Sequence, residues 1–194
     1  MCIRDSHIPT QLFTNGFQTF NGNDAKDHEG NRIIEAFAFE LKGNMGLGTK
    51  LKAGWYELAL ISDDGSTLDA DMDNNGSYET MLVNNDGLHA TKMACSATAF
   101  NFTSDTKIPI RLRYYQGPRH HISLNLLVRE VDNENTTPYK HCGYEDEDPD
   151  VWFGTNANNP APAPNYPNTP YGETLSDGWF IGDISMFTNE EAAR

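Results

Sequence analysis

Two adjacent aspartates, Asp63 and Asp64, are the strongest candidates for a chemical role in this chain. They follow the apolar run at residues 58–61 and precede Gly65. Side chains of neighbouring strand residues point to opposite faces, so two such carboxylates do not normally reach one ion. A cis peptide between them would change that, and calcium, which takes six to eight oxygen ligands, would suit the pair. The alternative is a strand that ends in an Asp-Gly turn with both carboxylates in solvent.

A second acidic stretch, Asp71, Asp73, Asn75 and Gly76, resembles the start of an EF-hand loop. The match fails at the twelfth position, which is Leu82 instead of glutamate, and no helix is predicted on either side. Asn-Gly is also a strong hairpin signal. We therefore interpret residues 71–76 as a plain hairpin turn.

Signatures of an enzyme are missing from the sequence. It has no Gly-x-Ser-x-Gly elbow, no His-Glu-x-x-His and no phosphate-binding loop. The carboxylates of a glycosidase flank the sugar about 5–9.5 Å apart, which adjacent residues sharing an ion do not do. His89, His120, His121 and His141 lie in polar turns without the spacing of a zinc site. We expect a protein that is not an enzyme.

The composition limits the partners. The 194 residues include 14 basic and 28 acidic ones, for a net charge of −14. This excess argues against nucleic acid or an anionic membrane as a partner and is compatible with divalent cations. No apolar run approaches the roughly 20 residues of a membrane span. Residues 1–6 lack the apolar core of a signal peptide and resemble a translated adapter, so we expect a non-native leader.

With Cys2 in that leader, Cys95 and Cys142 remain as a pair. A disulfide between them would stabilise the fold by about 4 kcal/mol on the loop-entropy estimate, because it would restrict the unfolded chain. We predict a disulfide in an exported protein, the alternative being two unrelated buried thiols.

The hydrophobic pattern predicts an all-β protein, an antiparallel β-sandwich over residues 7–132. Residues 55–62 are apolar on nearly both faces, as in a central strand. Residues 108–115 and 122–128 alternate around a polar turn, which we interpret as a hairpin. No helix signal longer than the last few residues appears, and Trp152 and Trp179 are expected to be buried. Residues 133–194 form an irregular extension with a proline-rich linker at 158–170, and residues 179–187 are expected to dock back on the sandwich.

Three motifs in order resemble the protective-antigen fourteen-kilodalton (PA fourteen) domain family. Residues 54–66 resemble its G-x-Y-x-F-x-x-x-S-D-D-G-S signature, residues 84–89 its N-x-G-x-H stretch and residues 109–117 its P-I-R-I-x-Y-x-x-G strand. The resemblance covers about residues 33–130. It implies a β-sandwich of the kind found in bacterial toxins, glycosidases and microbial adhesins.

In lectin members of the family, paired aspartates joined by a cis peptide bind calcium, which in turn binds sugar hydroxyls. The resemblance assigns this role to Asp63 and Asp64, with the Gln116 side chain and the backbone at Gly117 and Arg119 as further ligands. The sugar would contact the same aspartates and the turn at His120 and His121, which is longer than the common form of the family. The expected function is a calcium-dependent carbohydrate-binding domain, lectin-like, of a secreted or cell-surface protein. The alternative is a non-catalytic structural or protein-interaction module of a larger surface protein.

Overall fold

The structure is a computed structural model, and it describes residues 7–18, 23–118, 120–135, 138–146, 152, 169–182 and 184–188. These residues form twelve strands and one short α-helix. In chain order the elements are β1 (His7–Leu12), β2 (Phe37–Met45), β3 (Gly54–Asp63), β4 (Ser66–Ala70), β5 (Thr80–Asn85), β6 (Thr91–Cys95), β7 (Phe100–Phe102), β8 (Ile108–Gln116), β9 (His121–Val131), β10 (Glu145–Asp146), α1 (Pro170–Ser176), β11 (Trp179–Ile181) and β12 (Phe187–Thr188).

Two antiparallel sheets pack face to face, so the predicted β-sandwich is confirmed. The seven-stranded sheet has the order β1-β9-β3-β6-β10, with β11 also paired to β9 and β7 also paired to β3. The five-stranded sheet has the order β12-β2-β8-β4-β5. Among the described residues, no helix has the length and apolarity to cross a membrane.

The core between the sheets is formed by the apolar residues that alternate with polar ones along β2, β8 and β9, as predicted. Phe37, Phe39 and Leu41 of β2 face it, as do the even-numbered apolar residues of β8 and β9. Strand β3 is buried on both faces, as its composition predicts. It lies between β9 and β6, and other segments of the chain pack on its outer face.

That outer layer makes a second hydrophobic core on the seven-stranded sheet. Ala59 and Ile61 of β3 pack there with buried aromatic residues that include Trp152 and Trp179. The Arg129 guanidinium lies over Trp179, 4.8 Å from the ring centroid. A disulfide joins Cys95 at the end of β6 to Cys142, with 5.5 Å between the Cα atoms. Strands β11 and β12 pair with β9 and β2, one in each sheet.

Two sequence expectations are wrong. Strands β8 and β9 do not form a hairpin, because β8 pairs with β2 and β4 while β9 pairs with β1, β3 and β11 in the other sheet. Alternation fixes which face of a strand is apolar and leaves its partner open. Helix α1 was not predicted, although Thr169 accepts a hydrogen bond from the Gly172 amide at 3.0 Å and Pro170 begins the first turn. Most of the proline-rich linker, and residues 1–6, lie outside the described residues.

Candidate functional site

The Asp63–Asp64 pair lies where β3 ends and the chain crosses to the five-stranded sheet. The peptide bond between the two residues is cis. Strand β4 begins two residues later at Ser66, so the pair forms a corner at one end of the sandwich. We call these two residues the aspartate corner.

Donors from distant parts of the chain hold both carboxylates. Thr91 Oγ1 donates to Asp63 Oδ2 at 3.2 Å, from the start of the neighbouring strand β6. The backbone amides of Gly117 and His89 donate to Asp64, at 2.7 Å to Oδ2 and 3.3 Å to Oδ1. The orientation of the two carboxylates therefore depends on the folded sandwich.

No cationic side chain neutralises this corner within the described residues. Asp63 is 8% exposed, and neither aspartate forms an ion pair there. Burial, and then the charge of Asp64, raise the pKa of Asp63 to about 7, against the hydrogen bond from Thr91. Two adjacent carboxylates that have no ion pair among the described residues fit a divalent cation, whose charge would offset both.

Behind the corner, one hydroxyl faces two acceptors. Tyr114 Oη lies 2.5 Å from the Asp63 carbonyl oxygen and 2.6 Å from Gln116 Oε1. Burial raises the pKa of Tyr114 well above its usual value, so the hydroxyl keeps its one proton and can donate to only one of the two oxygens. The other oxygen is left without that donor, which adds an acceptor beside the corner.

Of the predicted ligands, Gln116 and Gly117 lie close to the aspartates. Gln116 is buried, and its Nε2 donates to the His121 carbonyl at 2.9 Å. The Gly117 carbonyl accepts from the Ala36 amide at 3.2 Å. A Cβ atom at residue 117 would lie 3.1 Å from Asp64 Oδ2 and from Leu88 Cδ2, so both side chains would have to shift by a few tenths of an ångström to admit one. Arg119 lies outside the described residues.

The corner opens into a cleft of about 490 Å³. The lining includes both aspartates, both predicted histidines and the loop between β5 and β6; its residues are Asp63, Asp64, Leu88, His89, Ala90, Pro118, His120 and His121. The turn that was expected to close a hairpin instead connects the two sheets, and His120 and His121 line the same cleft as the aspartates.

Two contributors were missed at the sequence level. Thr91 carries no signal in the sequence, because its role follows from β6 pairing with β3. His89 belongs to the recognised stretch at residues 84–89, but its backbone amide contacts Asp64. The His89 ring lies 2.7 Å from the Ala90 carbonyl and 2.9 Å from the Asn85 carbonyl, so it braces the loop.

The other acidic stretch forms the connection between β4 and β5. Asp71, Asp73 and Glu79 each place one carboxylate oxygen within 4.8 Å of the others, so this acidic loop could hold a metal ion. Asp71 also accepts the backbone amides of Asn75 at 2.9 Å and Gly76 at 2.7 Å, as in the turn that the sequence predicts.

Comparisons with known proteins give similarities of structure. No protein-family model matches the chain, and no curated protein matches it. A "PA14 sugar-binding domain from RTX adhesin" matches with a TM-score of 0.41 and 23% identity over 64% of this chain and 64% of that one. Epithelial adhesin 9 A domain from Candida glabrata, solved with Galβ1-4GlcNAc, matches with a TM-score of 0.41 and 16% identity over 59% of this chain and 53% of that one.

In both comparisons the matched region spans less than two thirds of the solved chain. At these identities and TM-scores, the matches carry no inference about what this chain binds. The name of the first structure is that of the family that the three sequence motifs resemble. The geometry of the aspartate corner is observed in the structure of this chain and is not inferred from either match.

Proposed function

We propose that this chain is a calcium-dependent carbohydrate-binding domain of a secreted or cell-surface protein. The observation that carries the proposal is the aspartate corner, in which two adjacent carboxylates, without an ion pair among the described residues, line a cleft. Carboxylate, amide and carbonyl oxygens are the ligands that calcium prefers, whereas zinc would favour histidine and cysteine.

Asp63 and Asp64 would supply carboxylate oxygens, Gln116 its amide oxygen, and the backbone at Gly117 and Arg119 the remaining protein ligands. Such a set leaves coordination positions on the ion, and two neighbouring sugar hydroxyls could take them in place of water. His120 and His121, which line the cleft, would contact the sugar. The sugar assignment follows the resemblance of the three motifs.

Two considerations support a setting outside the cell. Extracellular calcium modules bind with dissociation constants near 10⁻⁴–10⁻³ M, which suits a site with few charged ligands. The Cys95–Cys142 disulfide is typical of an oxidising compartment. Weak binding by one domain would then gain strength from several copies on a larger surface protein.

A glycan array tests the proposal. Wild-type protein should bind a restricted set of glycans in calcium and none in chelator, and Asp63→Asn/Asp64→Asn should bind none in either. Asp71→Asn/Asp73→Asn removes the same charge from the acidic loop and should bind as wild type. Binding that persists in chelator would contradict the calcium mechanism. Absence of binding by a wild-type protein that does bind calcium would favour the alternative, a structural or protein-interaction module.

A further inference from the structure

A second cleft lies on the outer face of the five-stranded sheet. Its volume is about 520 Å³, within the range of small-molecule sites, and it shares no lining residue with the cleft at the aspartate corner. Thr67, Arg113 and Tyr115 lie along adjacent strands β4 and β8, while Glu40 lies on β2 and Met81 on β5. We call this cleft the sheet groove.

The Tyr115 ring is a fixed aromatic surface of the groove. It packs so closely on the Gly65 backbone that a Cβ atom there would collide with the ring and lie 2.9 Å from the Gly87 carbonyl. The Tyr115 amide also donates to the Gly65 carbonyl at 2.9 Å.

Arg113 supplies a fixed donor. Its Nε donates to Thr67 Oγ1 at 3.2 Å and its Nη2 to the buried Asp69 at 2.9 Å. Within the described residues no hydrogen bond or ion pair engages Nη1, and the side chain is 47% exposed. The guanidinium is thus held in place from one side and can still donate into the groove.

The remaining lining selects the chemical class of the ligand. Ala38 and Met81 add apolar surface, and Glu40 and Asp86 add carboxylate acceptors. Glu40 pairs with Lys42 at 3.1 Å and Arg113 pairs with Asp69 at 2.9 Å, so the groove carries little net charge, which favours a neutral ligand. A sugar ring has apolar C–H faces that pack on an aromatic ring and hydroxyls that both donate and accept, which matches this mixture.

We propose that the sheet groove binds a neutral pyranose ring and is a second carbohydrate subsite that needs no calcium. It goes beyond the calcium site because no carboxylate of the aspartate corner lines it. A glycan could therefore be held at two separate places on one domain, which raises its effective concentration at each.

The test maps sugar contacts on the ¹⁵N-labelled full chain by amide chemical shifts. Glucose, galactose, mannose and N-acetylglucosamine are added one at a time, first in chelator and then in calcium. At least one should shift the amides of Thr67, Arg113 and Tyr115 in both conditions. Shifts at Asp64 and Gly117 should require calcium.

Two exposed methionines give a matched pair of variants. Met81, 51% exposed, lines the groove, whereas Met72, 50% exposed, does not. Met81→Trp should fill the groove and abolish the calcium-independent shifts, and Met72→Trp should leave them unchanged. Arg113→Gln, which removes the Nη1 donor without adding bulk, should weaken the groove binding by about tenfold, equivalent to about 1.4 kcal/mol.

The two proposals fail in different ways. If none of the four sugars shifts the groove amides in either condition, or if Met81→Trp and Arg113→Gln both bind as wild type, the sheet groove is not a sugar subsite. Calcium-dependent shifts at Asp64 and Gly117 would remain possible in that case. Shifts in the groove without any calcium effect at the corner would support the subsite and contradict the proposed calcium site.

Discussion

The aspartate corner and the acidic loop both gather carboxylates, but the fold uses them differently. The donors to Asp63 and Asp64 lie 25, 28 and 53 residues away in the chain. The donors to Asp71 and Asp73 lie two, four and five residues away, within one turn. The corner therefore exists only in the folded sandwich, whereas the loop can satisfy its oxygens locally.

A ligand bound at the corner and a ligand bound at the loop would affect the stability of the fold differently. An ion that binds the native corner and not the unfolded chain stabilises the whole fold. An ion at a local turn is less tightly linked to folding, because a short segment can keep some affinity when the chain unfolds. The stretch at residues 71–76, whose spacing resembles a known calcium loop, is thus the place where a bound ion would stabilise the fold less.

The largest expected effect is the loss of calcium stabilisation in Asp63→Asn/Asp64→Asn. At about 100 times the dissociation constant, a ligand adds about 2.7 kcal/mol to native stability. For a chain of this size, that raises the melting temperature by about 5–10 °C. Calorimetry should find this rise in wild type and in Asp71→Asn/Asp73→Asn, and none in the corner variant. A rise lost only in the loop variant would place the ion in the acidic loop instead.

A smaller effect is expected in the pH dependence of stability. As the pH rises, stability should fall in chelator, whereas the stabilisation by calcium should grow. Burial and Asp64 raise the pKa of Asp63 to about 7 in the folded state, above its usual value of 3.8. In chelator, the stability contribution of Asp63 is full below about pH 4 and is lost as the pH rises through 7. Calcium needs the ionised carboxylate, so the rise in melting temperature on adding calcium should grow from pH 5 to pH 8. A rise of equal size at both pH values would contradict the role of Asp63.

The smallest effect is expected for Gly117→Ala. The new Cβ would press on Asp64 Oδ2 and on Leu88, so we expect calcium affinity to fall by about tenfold, equivalent to about 1.4 kcal/mol. Gly54→Ala is the control, because its Cβ would make only ordinary contacts at 3.8 Å with Glu130 and Tyr56. Isothermal titration with calcium measures both, and equal affinities in the two variants would mean that the crowding at residue 117 is not felt by the ion site.

Local features of the sequence account for much of the fold. The two-residue alternation placed the inward faces of β2, β8 and β9, and the apolar character of residues 55–62 placed β3 in the middle of its sheet. The same alternation led to the wrong partner for β8, because it shows which face of a strand is apolar and does not show which strand pairs with it. Helix α1 was missed because its signals, Thr169 and Pro170, occupy a short stretch beside a proline-rich segment.

The part of the candidate site that is formed by residues adjacent in the sequence was predictable. Asp63, Asp64 and Gly65 stand together in the chain, and the family motif drew attention to Gln116 and Gly117. Thr91 and the His89 amide were not predictable, since one acts through strand pairing and the other through its backbone. Contacts of this kind arise only after distant segments meet.

The most direct test of the calcium site is the melting temperature of Asp63→Asn at pH 8, in chelator and in calcium. In chelator the substitution removes a carboxylate that is costly to ionise, while an amide oxygen can still accept from Thr91, so the variant should melt at a higher temperature than wild type. In calcium the order should reverse, because wild type alone gains a full ligand set. If the variant melts below wild type in chelator, and calcium changes neither protein, the aspartate corner is a structural turn and not a calcium site.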